Sequence, residues 1–131
     1  QALGLNGHVT FTGRIPYEDA PRYLGVGDVA VAPKISATEG AGKLLNYMAM
    51  ALPTVAFDNA VSREYLGADG IYVPQGDVAG LAQALLMALG DRQDAVRRGE
   101  ALRRRAVERF SWDWAGQQIV SIYDRVLAQR R

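Results

Sequence analysis

"DVAVAPKISATEGAGKLLNYMAMALPTVAFD", residues 28–58, decides the fold. It opens on "DVAVAP" (28–33), a short apolar run stopped by Pro33, and closes on a second, "PTVAFD" (53–58). Runs of this length bounded by Pro, Gly or Asp predict buried strands. Between them, "KLLNYMAMA" (43–51) sets Leu44, Leu45 and Met48, with Leu52 beyond, on one side of a helix. Strand, helix and strand with short links form the unit of a parallel sheet, and its crossover is almost always right-handed.

The pattern repeats outward. "HVTFTGRI" (8–15) predicts a strand, and "YEDAPRYLGVG" (17–27) a short helix broken at Gly25 and Gly27. "AVSREYLG" (60–67) predicts a helix closed by Gly67, and "GIYVP" (70–74) a strand closed by Pro74. After "QGD" the pattern turns wholly helical. Asp77 is placed to cap a helix over 78–90. A second helix covers 91–110, bent near Gly99. A third covers 111–129, capped by Ser111, with Trp114, Ile119, Ile122, Tyr123 and Val126 as its apolar stripe.

Composition narrows the function. The chain has 131 residues, 49% hydrophobic and 22% charged, enough for one globular core. A net charge of +1 gives no global reason to bind nucleic acid. Without cysteine there is no disulfide, thiolate nucleophile or cysteine metal site, and the single His8 cannot build a metal centre. No apolar run has the length of a membrane span and no signal peptide is visible, so the expected compartment is the cytoplasm. "QALGLNGH" lacks a start methionine and reads like a helix end, which predicts a chain that begins partway into something larger. Residues 91–131 hold ten arginines against six acids, with "RRR" at 103–105. The favoured reading is a solvated helix face, with Glu100 and Glu108 pairing at helical spacing, because no aromatics interleave for base stacking.

In open parallel sheets, ligands bind beyond the carboxyl ends of the strands. Three loops leave strands here: "GRIPYE" (13–18), "PKISATEGAGK" (33–43) and "FDNAVSRE" (57–64). The second runs into a helix N-terminus, where free backbone N–H groups and the dipole favour an anion. Gly40 and Gly42 allow close backbone approach, and Lys43 adds a positive charge. Glu39 would repel a bare phosphate but suits hydroxyls beside one, and a sugar joined to a diphosphate supplies both groups. The residues alone leave a second reading open, in which Glu39 complements the helix dipole and the glycines merely shape the loop.

Four blocks stand in order: "HVTFTGRIPYEDAPRYLGVGDVAVAP", "EGAGKLLNYMAMALPTVAFD", "GIYVPQGDVAGLAQAL" and "FSWDWAG". Together they resemble the C-terminal, nucleotide-sugar-binding domain of GT-B glycosyltransferases of the retaining family 4 group, over essentially the whole chain. The resemblance implies an α/β, Rossmann-like parallel sheet flanked by helices, incomplete at its N-terminus and all-helical in its last third. It makes 1–131 one partial nucleotide-sugar-binding domain, with a β/α portion over 1–76 and C-terminal helices over 77–131. It assigns Glu39 to hydroxyls of the transferred sugar, and the backbone of Gly40, Ala41 and Gly42 to the diphosphate. Lys43 stands where many members carry an apolar residue; its charge beside the diphosphate makes it a hypothesised leaving-group stabiliser, so Glu39 and Lys43 are the catalytic candidates. Gly13, Arg14 and Ile15 become the nucleobase-side wall, although Arg14 also reads as a surface charge. The family's second glutamate, which accepts from ribose hydroxyls, is replaced by Asn46, and the interval is one residue shorter. Asn46 can still bond a hydroxyl through its amide, without the charge that strengthens the bond.

The implied reaction is metal-independent transfer from a nucleotide diphosphate sugar to an unknown acceptor with retention, without a cofactor; the fragment alone is expected to be inactive. Asn46 keeps a non-catalytic nucleotide-sugar-binding or scaffolding module open as the alternative. An unrelated phosphate-binding domain, receiver-like or epimerase-like, lacks its acidic cluster or Tyr-x-x-x-Lys pair here. Family members carry two further strands before this point and an N-terminal acceptor domain. Their absence predicts an exposed sheet edge open to a second copy or a swapped element. For the full-length protein, contact with a membrane surface also stays open. Trp112 and Trp114 resemble a segment that reaches back toward the other domain, and core packing explains them equally well.

Overall fold

The computed structural model describes residues 3–36 and 40–129. A 3-10 turn at Tyr17–Asp19 leads into α1 (Ala20–Leu24). There follow β1 (Ala30–Ala32), α2 (Gly42–Ala49), β2 (Thr54–Phe57), α3 (Ala60–Leu66) and β3 (Ile71–Val73). Three helices follow: α4 (Val78–Gly90), α5 (Arg92–Phe110) and α6 (Trp112–Ala128). The strands form a parallel sheet in the order β1-β2-β3, with Val31 opposite Val55 and Ala56 opposite Tyr72.

β2 is the spine. All four of its residues are buried, as expected for a central parallel strand covered on both faces. Its side chains alternate. Ala56 joins Ala32, Leu44, Met48, Leu66 and Leu102 in one core cluster, while Val55 and Phe57 join Val73 and Ala88 in another. The first cluster lies under α2, α3 and α5, the second under α4. The apolar side predicted for α2 is the one the sheet covers: Leu44, Met48 and Leu52 are buried and Leu45 is half-buried. Predicted caps form at Asp77, which accepts from the Gly80 amide at 2.8 Å, and at Ser111, which accepts from the Trp114 amide at 3.2 Å.

Gly99 lies within the continuous α5, where it permits a close contact. A Cβ there would overlap the carbonyl oxygen of Ala51 in the α2–β2 turn. That turn also holds Ala51 at φ 56°, the left-handed region that costs a residue with a Cβ.

Three expectations are corrected. Residues 8–15 form no strand, because β1 bonds β2 on one edge and no described residue pairs with its other edge. An alternating apolar segment becomes a strand only when a ladder satisfies its backbone. The α6 stripe is not core. No residue of α6 is buried, and Ile119, Ile122 and Tyr123 are all more than half exposed. The ion pairs of α5 run through Asp94, bonded to Arg97 and Arg98, and through Asp69, rather than through Glu100 or Glu108. Arg105 serves the fold as well. It donates to the carbonyls of Tyr65 and Glu64 at 2.7 and 2.9 Å, closing the α3 end.

Candidate functional site

Because the strands are parallel, their three exits share one edge of the sheet. β1 leaves through Pro33 and Lys34, β2 through Asp58 and Asn59, and β3 through Pro74 and Gln75. Side-chain amides stitch these exits together. Asn59 Oδ1 caps α3 by accepting from the Ser62 amide at 2.8 Å, while its Nδ2 donates to the Lys34 and Phe57 carbonyls, each at 3.3 Å. Gln75 Nε2 donates to the Ile35 carbonyl at 2.8 Å. Lys34 Nζ donates to the Gly40 carbonyl at 3.2 Å. The loop between β1 and α2 is thus held at its root and at its end.

That loop delivers the N-terminus of α2. Ala41, at the cap position, is buried and has no capping side chain. The Leu44 amide bonds back to the Ala41 carbonyl at 2.8 Å, whereas the amides just before it belong to the open end of the helix. A Cβ at Gly42 would meet open space, and one at Gly40 would have as its nearest neighbour the Tyr65 hydroxyl at 3.8 Å. Gly42, the first residue of α2, has no positive φ. Packing therefore does not demand glycine at either position, and what the two provide is access to the backbone. Lys43, in the first turn, is exposed. Glu39, assigned to the same mouth, lies outside the described residues.

The nucleobase-side candidates are placed less closely. Gly13 has φ 68°, so its turn does require glycine. Arg14 is exposed and Ile15 half-buried. The hydrogen-bonded tie between this segment and α2 runs through Tyr17, whose hydroxyl donates to Asn46 Oδ1 at 3.3 Å. Asn46, half-buried, stands one turn inside α2 and meets Tyr17, Leu24 and Met50 around a small cavity of about 90 Å³.

Asp58, the acid at the β2 exit, is already occupied. Arg63 binds it through two contacts of 2.7 Å, and this bond holds the carboxyl below its usual range. The Arg63 guanidinium in turn lies 4.3 Å from the centre of the Tyr72 ring. Among the described residues no three His, Asp or Glu side chains gather as metal ligands, and no helix is long and apolar enough to cross a membrane. What the described mouth offers chemically is positive: backbone N–H groups, a helix dipole and lysine charge, suited to an anion.

Sequence reasoning singled out neither Lys34, Tyr17, Asn59 nor Gln75. Three of them could have been found, since Lys34, Asn59 and Gln75 each stand two residues past a strand end, on the edge where ligands bind. Tyr17 could not, because its partner is 29 residues away.

The family model described as "Glycosyl transferases group 1" matches residues 1–91. A phosphatidyl-myo-inositol mannosyltransferase of Mycobacterium leprae (strain TN) is 36% identical over 129 residues, covering 96% of this chain and 34% of that protein. An alpha-D-kanosaminyltransferase of Streptomyces kanamyceticus is 32% identical over 128 residues, covering 95% of this chain and 33% of its own length. Among solved structures, a sucrose-phosphate synthase from Thermosynechococcus elongatus superposes with a TM-score of 0.84 at 27% identity, over 95% of this chain and 32% of that one. The chain spans about a third of the length of the curated relatives it matches. The Rossmann-like sheet with helices on both faces is the GT-B architecture that the four sequence blocks imply. The chain belongs to the glycosyl transferases group 1 family.

Proposed function

We propose that this chain is the donor-binding part of a cytoplasmic enzyme that transfers a sugar from a nucleotide diphosphate sugar to an acceptor held by a further domain, with retention. One observation carries the reading: an uncapped helix N-terminus at the carboxyl edge of a parallel sheet, entered through two glycines that packing does not require. The amides of residues 40–43 take the diphosphate. Lys43 stabilises the charge that develops as the diphosphate departs. Glu39 accepts from hydroxyls of the sugar, and Asn46 bonds the ribose. Gly13, Arg14 and Ile15 form the wall beside the base. Fixed dipoles aimed at developing charge are a large catalytic term and do not require a metal ion. The glycosyltransferase names of the relatives support the reaction class.

The test is ligand-observed NMR on this chain with UDP, GDP and ADP, each with and without its sugar. Selective binding of one nucleotide is expected, and Glu39→Ala should weaken only the sugar-bearing form. In the full-length protein, Lys43→Ala should lower kcat on the order of a hundredfold. Unchanged kcat and donor affinity would remove Lys43 from the mechanism. Full activity in excess EDTA is expected.

A second reading, a non-catalytic nucleotide-sugar-binding or scaffolding module, is favoured by Asn46, whose amide oxygen is already engaged by Tyr17. Sugar transfer gained on Asn46→Glu would support this reading.

A further inference from the structure

We propose that Gln75 and Asn59 are positioning residues that set the anion-binding mouth of α2 in place, an inference that rests on the donor-site reading above. The carbonyls of Lys34 and Ile35 are consecutive. One accepts from Asn59 Nδ2 at the β2 exit and the other from Gln75 Nε2 at the β3 exit. The partners are 25 and 40 residues apart in sequence, so these bonds tie separate strand exits together. They sit where the β1–α2 loop leaves the sheet, and the Lys34 ammonium carries the tie forward to the Gly40 carbonyl at the loop's far end.

The arrangement has a physical purpose. Glycine gives a backbone more conformations to lose, and amides that must face a diphosphate bind best when they are already held in place. Neither amide side chain is needed for the core: Gln75 is exposed, and the other face of Asn59 caps α3. Gln75 follows Pro74, which has no N–H and a fixed φ, and precedes Gly76 at φ 84°, so a rigid turn presents its side chain. The pair would therefore act on ligand affinity through the loop, without touching the ligand.

Two substitutions test this role, Gln75→Met removing one bond alone and Asn59→Ser removing the bond to Lys34 together with that to Phe57. Gln75→Met keeps length and adds no charge but cannot donate. Asn59→Ser keeps a capping oxygen for α3 but is too short to reach Lys34. Each variant of this chain is compared with wild type by melting temperature, by amide hydrogen exchange at Gly40, Gly42 and Lys43, and by affinity for the nucleotide sugar that wild type binds. The expected result is faster exchange at those amides and an affinity loss of about two- to tenfold for each variant, with the melting temperature within about 2 °C of wild type for Gln75→Met and lower by several degrees for Asn59→Ser. Unchanged exchange, or unchanged donor affinity in both variants, would overturn the proposal. If wild type binds no member of the nucleotide panel, the donor-site reading fails on its own. Exchange at the three amides then decides the positioning claim, faster supporting it and unchanged overturning it. In the full-length protein, a positioning role raises the donor KM more than it lowers kcat, whereas loss of fold lowers the active fraction and leaves KM alone.

Discussion

The span from β1 through α5 and the two stretches that flank it are made of similar residues and have opposite fates. Among the described residues, every buried apolar residue lies between Ala30 and Leu102. Outside that span, Leu3, Val9 and Phe11 on one side, and Trp112, Ile122 and Val126 on the other, are exposed, Phe11 and Trp112 more than nine-tenths so. The residues before α1 alternate like a strand, and α6 carries an apolar stripe at helical spacing, so neither is poorly patterned. What separates them from the body is a partner. β2 has a strand on each edge and helices on both faces, whereas residues 8–15 have no strand beside them and α6 has no apolar cover among the described residues. An apolar pattern states how a segment could be buried, and burial itself needs a second surface.

The sharpest test sets Leu102 against Ile122. Leu102 is fully buried and Ile122 is 52% exposed, both on long helices. Leu102→Ala should cost about 2–5 kcal/mol in urea unfolding of this chain, and Ile122→Ala no more than about 0.5 kcal/mol. Equal losses would mean that α6 is buried in solution and would end the comparison.

Gly99→Ala probes the body where it is tightest. Alanine improves helix propensity by about 1 kcal/mol, but its methyl would overlap the Ala51 carbonyl. A net loss of about 1–3 kcal/mol is expected, and a rise in melting temperature would show that α5 can shift. The same turn supplies a smaller effect of opposite sign. Ala51→Gly relieves a left-handed backbone worth about 1–2 kcal/mol and adds back chain entropy of about 0.5–1 kcal/mol, so it should stabilise by about 1 kcal/mol or less.

The smallest effect is electrostatic. Asp94 is held below its ordinary value by hydrogen bonds from Arg98 and Arg97, and Asp58 likewise by Arg63. Below the ordinary value of 3.8 the unfolded chain binds more protons than the folded one. The contribution is therefore fully present above that pH and fades as pH falls through the lower folded value. Both pairs are partly exposed, so salt weakens them. Asp94→Asn should flatten the acid limb of stability against pH, and an unchanged limb would show that the pair contributes nothing measurable.

Much of the body could be read from residue order. "PTVAFD" is short, branched and bounded by Pro53 and Asp58, and it forms the central strand. Asp77 and Ser111 cap their helices because each side chain reaches an amide three residues on, a contact written into local sequence. The mouth of α2 could be read for a related reason: a glycine-flanked lysine at the start of an apolar helix is a local statement about free N–H groups. Gly99 was legible as unusual but not as to cause, since the atom that demands glycine belongs to Ala51, 48 positions earlier.

From β1 to α6 the sequence by itself determined the type and order of the elements and the caps at Asp77 and Ser111, because each depends on residues within a turn or two of one another. Only the tertiary structure decided which apolar faces are covered, which residues tie the strand exits together, and which acid Arg97 and Arg98 choose. Those outcomes depend on which distant surfaces meet. Asn59 reaches Lys34 and Gln75 reaches Ile35 only after three parallel strands have brought their ends to one edge.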